Sequence, residues 1–324
     1  MPLGGAKGGA DFDPKGRSDA EVMRFCQAFM RELAHYIGPD RDIPAGDINV
    51  GTREIGWMFA AYKASAQEFN GALTGKGQSF GGSAMRGEAT GYGLVYFVEA
   101  MLSETGEDLE DQRVAISGKG NVATHAALKA TERGAKVITL SDTSGTLVAN
   151  DGLTADTIRW VQQRKSEGAD IAEPPGNEAR FVEGTPPWEC ECDLALPCAT
   201  QNELDEGMAN MLADGSVKLV AEGANMPLTD GAAAVLDESG IVRAPGYAPN
   251  AGVVAVSGLE MSQNSHRQYD DAETVDASLK EIMRGIHGRV VEEGREGNRI
   301  DYVRGANIAG YRKVADAVSA MGAI

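Results

Sequence analysis

The sequence predicts an α/β fold built around a parallel, doubly wound sheet. Three observations carry that prediction. From residue 113 onward, short β-prone segments alternate with helical stretches, an order that sets strands side by side with crossover helices. The first strand runs straight into Gly118-Lys119-Gly120-Asn121-Val122-Ala123, a G-x-G-x-x-A turn that opens a helix. An acidic residue, Asp142, then ends the second strand at about the 20-residue spacing of a dinucleotide-binding fingerprint.

The elements follow in order. Ser18 and Glu21 form a capping box, and Val22, Phe25, Cys26, Phe29, Met30, Leu33 and Ile37 recur at helical spacing until Gly38-Pro39. A second amphipathic helix begins near Thr52, with Ile55, Met58, Phe59 and Tyr62 on one face. Residues 71–83 are rich in glycine and serine and read as a hinge or linker. A third helix is expected over Glu88–Ser103, and a fourth from the glycine turn to Arg133. Strands are expected at Arg113–Ser117, Lys136–Ser141, Leu194–Cys198, Lys218–Ala221 and Ile241–Ala244. The tail over 301–324 reads as a helix that returns to the first segment. At 324 residues the chain exceeds one ordinary core. The expected division is 1–80, 81–300 and 301–324.

The net charge of −18 opposes binding to nucleic acid or an anionic membrane, because the overall field repels phosphate. No apolar run approaches the ~18–20 residues that span a bilayer. The start, Met1-Pro2-Leu3-Gly4-Gly5, lacks the basic and apolar regions of a signal peptide. A soluble cytoplasmic enzyme is the expectation. Cys190, Cys192 and Cys198 cluster as C-x-C-x5-C without a second ligand pair, and the four histidines are scattered, so no metal is expected.

In the glycine turn, Gly118 allows the sharp bend and Gly120 lets backbone approach a pyrophosphate. Ala123 lets helix and strand pack, and the helix N-terminus offers free N–H groups. Asp142 at the strand end would accept hydrogen bonds from a ribose and repel a 2′-phosphate, which favours NAD. Thr143 and Ser144 follow it, and Lys136 and Lys165 are sources of positive charge, so these residues leave NAD and NADP both open. Elsewhere, Lys7 stands between paired glycines in Gly4-Gly5-Ala6-Lys7-Gly8-Gly9, which is not a P-loop spacing. Asp47 sits in the loop Pro44-Ala45-Gly46-Asp47. A lysine and an aspartate on rigid loops suit a general acid–base pair, although each alone reads rather as a surface lysine and a helix-capping aspartate.

Taken together, these segments resemble the glutamate dehydrogenase family, over essentially the whole chain. Gly4–Gly9 with Asp11-Phe12-Asp13-Pro14 is similar to its catalytic-lysine segment, and Pro44–Ile48 to its catalytic-aspartate loop. Arg86 with Glu88-Ala89-Thr90-Gly91-Tyr92-Gly93 resembles the start of its nucleotide domain. Leu196-Pro197-Cys198-Ala199-Thr200-Gln201-Asn202-Glu203 and Ala221-Glu222-Gly223-Ala224-Asn225-Met226-Pro227 resemble its nicotinamide-side loops. Asn250-Ala251-Gly252, Ser257-Gly258-Leu259-Glu260-Met261 and Gly305-Ala306-Asn307-Ile308-Ala309-Gly310 complete the resemblance.

The resemblance implies a Rossmann-like domain plus the remnant of an α/β substrate domain. It also implies reversible oxidative deamination of L-glutamate to 2-oxoglutarate and ammonia with NADP or NAD, NADP being preferred by likeness to NADP-using members. Lys7 matches the catalytic lysine that activates water and polarises the carbonyl, and Asp47 the aspartate that moves protons at the substrate nitrogen. Gly46 would meet substrate through its backbone, and Ser257 its side-chain carboxylate. Thr90, Asn121, Asn225 and Asn250 match cofactor contacts, in a set that also holds Arg86, Gly118, Gly120, Val122, Asp142, Thr143, Ala199 and Thr200. Members acting on leucine, phenylalanine or valine usually lack the serine, so Ser257 favours glutamate.

Full-length relatives are homohexamers with a long segment before the lysine, whereas Met1 lies six residues before Lys7. The expectation is a truncated front end lacking two further substrate-binding lysines, with little activity and no hexamer for the chain as written. The alternatives are an inactive dinucleotide-binding fragment and a dehydrogenase for another L-amino acid. Three internal departures stand out: Lys119 for a small residue, Gly87 for a proline, and Val253 for a glycine. The Lys119 charge either helps to bind phosphate or points to solvent. Val253 adds bulk beside a cofactor loop.

Overall fold

Five short apolar runs make the parallel body of a seven-stranded sheet: β1 (Arg113–Ile116), β2 (Lys136–Asp142), β5 (Leu194–Leu196), β6 (Leu219–Ala221) and β7 (Val242–Ala244), as seen in a computed structural model. The structure describes residues 3–47 and 49–322, so Met1, Pro2, Ile48 of the aspartate loop, and Ala323 and Ile324 of the tail lie outside the described residues. Val114, Ala115 and Ile116 are fully buried, as strands of a sheet covered on both faces must be. The order is β4-β3-β2-β1-β5-β6-β7. The chain winds from β1 to β2 in one direction and resumes at β5 in the other, which puts the switch point between β1 and β5.

All five expected strands are present. The sheet also carries β3 (Gly145–Val148) and β4 (Arg180–Glu183), an antiparallel edge that the sequence reading did not include. β3 follows β2 after only Thr143 and Ser144, and the half-exposed β4 has no apolar run to mark it. A further hairpin pairs β8 (Arg295–Glu296) with β9 (Arg299–Ile300).

The described residues divide into two compact units. The first runs to Arg86 and includes Val253–Leu279; the second holds Gly87–Gly252 and the chain from Lys280. This differs from the expected division, because the boundaries fall inside α8 (Gly252–His266) and α9 (Ala272–Gly294). α10 (Tyr302–Met321) belongs to the second unit. There the buried Tyr302 hydroxyl lies 3.1 Å from His287 Nε2, and its ring meets Phe97 of α3 (Ala89–Ser103). In the same unit, α4 (Asn121–Glu132) and α5 (Ala155–Ser166) follow β1 and β3, while α6 (Glu206–Asp214) and α7 (Asp230–Glu238) follow β5 and β6. Thr154, Asp205, Thr229 and Asp301 cap helices by accepting from backbone N–H groups three residues on.

In the first unit α1 (Asp19–Leu33) packs on α2 (Thr52–Ala66) through Val22, Cys26 and Met30 against Ile55, Met58, Phe59 and Tyr62. The Ser18–Glu21 capping box forms as expected. The glycine-rich segment 71–83 is a correction, since most of it is buried and it is not a solvated linker. Its backbone is satisfied by α8: Glu260 accepts from the N–H groups of Gly75 (3.0 Å) and Lys76 (3.4 Å), and Asn264 donates to the Gly81 carbonyl. The Lys76 ammonium completes the arrangement, 2.7 Å from Glu260 Oε1, with both side chains almost fully buried.

Removing one partner of such a pair strands the other charge in the interior. Glu260→Ala is expected to lower the unfolding free energy by about 3–5 kcal/mol in a urea titration. A double-mutant cycle with Lys76→Ala should be non-additive by more than about 0.5 kcal/mol, and additive behaviour would mean that the pair is not coupled.

Candidate active site

Two loops 40 residues apart meet in the first unit, where Lys7 Nζ donates to Asp47 Oδ2. Lys7 lies in a segment without regular structure. The Asp47 loop is held at both ends: the Pro44 carbonyl accepts from Thr74 N–H at 3.0 Å, and the Asp47 carbonyl from Val50 N–H at 2.9 Å. Gly46 is required here, because a Cβ would stand 2.4 Å from the Val50 carbonyl oxygen. The Lys7 side chain is 78% exposed and Asp47 42% exposed. An ion pair that open contributes about 0–1 kcal/mol, so stability does not account for it. Both groups are within reach of a molecule arriving from solvent.

Ser257 is buried on α8, one turn before Glu260. Arg86 also belongs to this unit, with its guanidinium near Glu260. Burial pushes the Arg86 pKa down, the Glu260 charge works against that shift, and its Nε has no partner.

The second unit gathers the remaining expected residues at the carboxyl ends of its parallel strands, where open α/β sheets bind ligands. After β1, Gly118 turns with φ of +89°, and a Cβ there would meet Ala199 at 3.1 Å. Its N–H donates to Ser141 Oγ (2.9 Å), and its carbonyl accepts from Ser141 N–H (3.2 Å), tying the turn to β2. Gly120 caps α4, whose first internal bond is Thr124 N–H to the Gly120 carbonyl. The N–H groups of Asn121, Val122 and Ala123 therefore precede the helical ladder. After β5, Ala199 and Thr200 are exposed in a loop held by Glu203, which accepts from Ala199 N–H at 2.9 Å. Burial pushes the Glu203 carboxyl up, and bonds from Ser117, Ala199 and Thr200 oppose that. After β6 and β7, Asn225 and Asn250 meet, with Asn250 Nδ2 donating to Asn225 Oδ1 at 2.7 Å. Thr90 lies in the first turn of α3, and the Asn121 amide donates to the Gly87 carbonyl.

Asp142 ends β2 with both carboxylate oxygens engaged. Oδ1 accepts from Ser144 N–H (2.9 Å) and Oγ (2.6 Å), and Oδ2 from Lys119 Nζ at 2.7 Å. Burial raises the Asp142 pKa, but the bonds from Lys119 and Ser144 and the Lys119 charge outweigh it and hold the carboxyl below its usual range. Lys119 thus turns inward rather than to solvent and also donates to the Ala169 carbonyl at 2.9 Å. Lys136 does not supply charge to Asp142: it begins β2, at the opposite end, and pairs with Asp111 at 2.6 Å. Lys165 is exposed in the last turn of α5, and Thr143 is exposed beside Asp142.

The other departures have room. A Cβ on Gly87 would meet only the Asn121 amide, at 4.0 Å. Val253 is half-buried in the first turn of α8; the close approach in that turn falls on Gly252, against the Ala89 carbonyl. The four cysteines are free thiols, and burial pushes Cys192 up to about 12. Among the described residues no group of three or more His, Cys, Asp or Glu side chains is placed to hold a metal, and no helix is long and apolar enough to cross a membrane. Sequence reasoning assigned no role to Lys76 or Glu260, nor scaffolding roles to Ser117, Ser141 and Glu203. No spacing rule marks such residues, since their partners are distant in the chain.

Against this geometry, the family model described as Glutamate/Leucine/Phenylalanine/Valine dehydrogenase matches residues 81–322. The model of the Glu/Leu/Phe/Val dehydrogenase dimerisation domain matches residues 1–64. The chain belongs to this family. It is 51% identical over 328 residues to the NAD-specific glutamate dehydrogenase of Bacteroides fragilis, covering 100% of this chain and 74% of that protein. It is 53% identical over 326 residues to the NADP-specific glutamate dehydrogenase of Escherichia coli, covering 100% and 73%. The solved glutamate dehydrogenase of Plasmodium falciparum superposes with a TM-score of 0.94 at 44% identity, covering 97% of this chain and 68% of that one.

The residues of this family member fit a dinucleotide. Gly120 has an ordinary φ of −78°, and a Cβ on it would meet nothing within 4 Å, so the fold itself does not demand glycine there. Gly118→Ala should therefore cost about 1–2 kcal/mol of stability through its left-handed φ. Gly120→Ala should melt within about 0.5 kcal/mol of the parent yet weaken dinucleotide binding. Thermal unfolding and calorimetry on both variants check this; unchanged binding in Gly120→Ala would remove the phosphate-approach role.

Proposed function

We infer that this chain is an NAD(P)-dependent glutamate dehydrogenase, converting L-glutamate and water to 2-oxoglutarate and ammonia with reduction of the dinucleotide, and catalysing the reverse. The observation that carries the reading is the meeting of Lys7 and Asp47, in a chain about half identical to glutamate dehydrogenases along its whole length. Those relatives favour neither an inactive binding fragment nor a dehydrogenase for another amino acid. They include NAD-specific and NADP-specific enzymes, so the cofactor is NADP or NAD.

The residue roles belong to the proposal. Lys7 polarises the carbonyl of 2-oxoglutarate and, in the deaminating direction, orients the attacking water. Asp47, paired with it, takes and returns protons at the substrate nitrogen. Gly46 leaves backbone open to the substrate, and the Ser257 hydroxyl serves its side-chain carboxylate, which favours glutamate over apolar amino acids. The bound dinucleotide supplies the two-electron redox chemistry. Gly118, Gly120, Asn121 and Val122 would hold its phosphates at the N-terminus of α4, and Asp142 and Thr143 its adenosine ribose. Arg86, Thr90, Ala199, Thr200, Asn225 and Asn250 complete the cofactor set. A homo-oligomer and a cytoplasmic location are part of the same reading, supported by the matched dimerisation-domain model and by the acidic charge.

The test is ammonia- and 2-oxoglutarate-dependent oxidation of NADPH and NADH. Lys7→Ala and Asp47→Asn should each lower kcat by about 10²-fold or more, with dinucleotide affinity little changed. Near-normal turnover in either variant rejects its assigned role.

A further inference from the structure

An acidic residue at the end of the second strand normally serves NAD, because a free carboxylate accepts from the ribose 2′-hydroxyl and repels a 2′-phosphate. Asp142 is not free in that sense. Ser144 occupies one of its oxygens twice, and the Lys119 ammonium occupies the other. Its charge is matched by a cation 2.7 Å away, in a setting where the Asp142 side chain is 7% exposed and Lys119 19% exposed. Low exposure keeps that cancellation from being screened by salt.

Lys119 also arrives from an unexpected direction. It occupies the variable place between the two fingerprint glycines, so its Cα belongs to the phosphate-binding turn while its ammonium lies at the ribose-side carboxylate. The Ala169 carbonyl holds the ammonium at a second point. An ammonium has three donors, and these two contacts use two of them. The third donor remains for an incoming group, at a strand end where Thr143 and Ser144 are exposed and the Asp142 charge is neutralised.

We propose that Lys119 is a specificity-determining residue for the dinucleotide: by neutralising Asp142 and presenting an ammonium beside it, it admits the 2′-phosphate of NADP(H). The inference rests on the dinucleotide-binding reading above and adds to it the group that decides between the two cofactors. It replaces Lys136, which lies at the wrong end of β2, as the source of positive charge.

The experiment is calorimetric binding of NADPH and NADH to the full chain and to Lys119→Ser, Lys119→Arg and Asp142→Ser, each checked for folding by its melting curve. Loss of one charge-assisted contact in Lys119→Ser should raise the Kd for NADPH by about 10- to 100-fold while the NADH value moves less than about threefold. Lys119→Arg should retain NADPH binding, and Asp142→Ser should tighten NADPH and weaken NADH. The NADPH Kd of the parent should also depend more steeply on salt than that of Lys119→Ser. Equal weakening of both dinucleotides in Lys119→Ser, with Lys119→Arg failing to restore the difference, overturns the inference and assigns Lys119 to the shared pyrophosphate or to the fold. A parent chain that binds neither dinucleotide overturns the dinucleotide reading beneath it, a result distinct from an unchanged NADPH-to-NADH ratio.

Discussion

At Gly118 the chain leaves β1 in a left-handed turn, lies against Ala199, and enters α4 within three residues. Much of the second unit depends on that close approach. It aligns the N-terminus of α4 with the strand ends and brings the loop after β5 against the turn after β1. Through Ser141 it also registers the turn on β2. Pro197 carries the alignment further, its carbonyl accepting from Gly223 and Ala224 N–H at 2.9 Å, which ties the loops after β5 and β6 together. The result is a rim of backbone and amide groups at the switch point, each held by a neighbour from a different crossover.

The first unit solves a different problem. Its chemistry-bearing groups lie on irregular backbone, which has no ladder of its own to hold it. The Asp47 loop is pinned through Thr74 to the buried segment 71–76, and that segment is pinned in turn by Glu260 of α8. An interior ion pair is a poor source of net stability, because desolvation offsets much of the attraction. Its value here is placement: with two backbone N–H groups and an ammonium on one carboxylate, the segment has one satisfied arrangement.

Charge is used differently in the two units. Lys7 and Asp47 are exposed, weakly coupled to stability, and accessible to small molecules. Lys119 and Asp142 are largely enclosed, so salt screens their pairing little. The same residue types thus stand in opposite surroundings, open to solvent in one unit and enclosed in the other, and their interactions are screened to different degrees.

Local pattern alone determined the fold class, the five parallel strands, the capped first helix and the glycine turn, because alternation, capping chemistry and turn geometry act over a few residues. It also singled out Lys7 and Asp47 by their glycine and proline settings, while leaving each with a bland reading of its own. Other features depended on contacts between residues far apart in the chain. In the antiparallel edge, β3 follows β2 after two residues and β4 has no apolar run, and segment 71–83 has a linker's composition yet is buried because α8, some 180 residues later, satisfies its backbone. The pairing of Lys7 with Asp47 spans 40 residues and that of Lys119 with Asp142 spans 23. Whether a charge is free or cancelled is a matter of distance in space, and only the tertiary structure sets that distance.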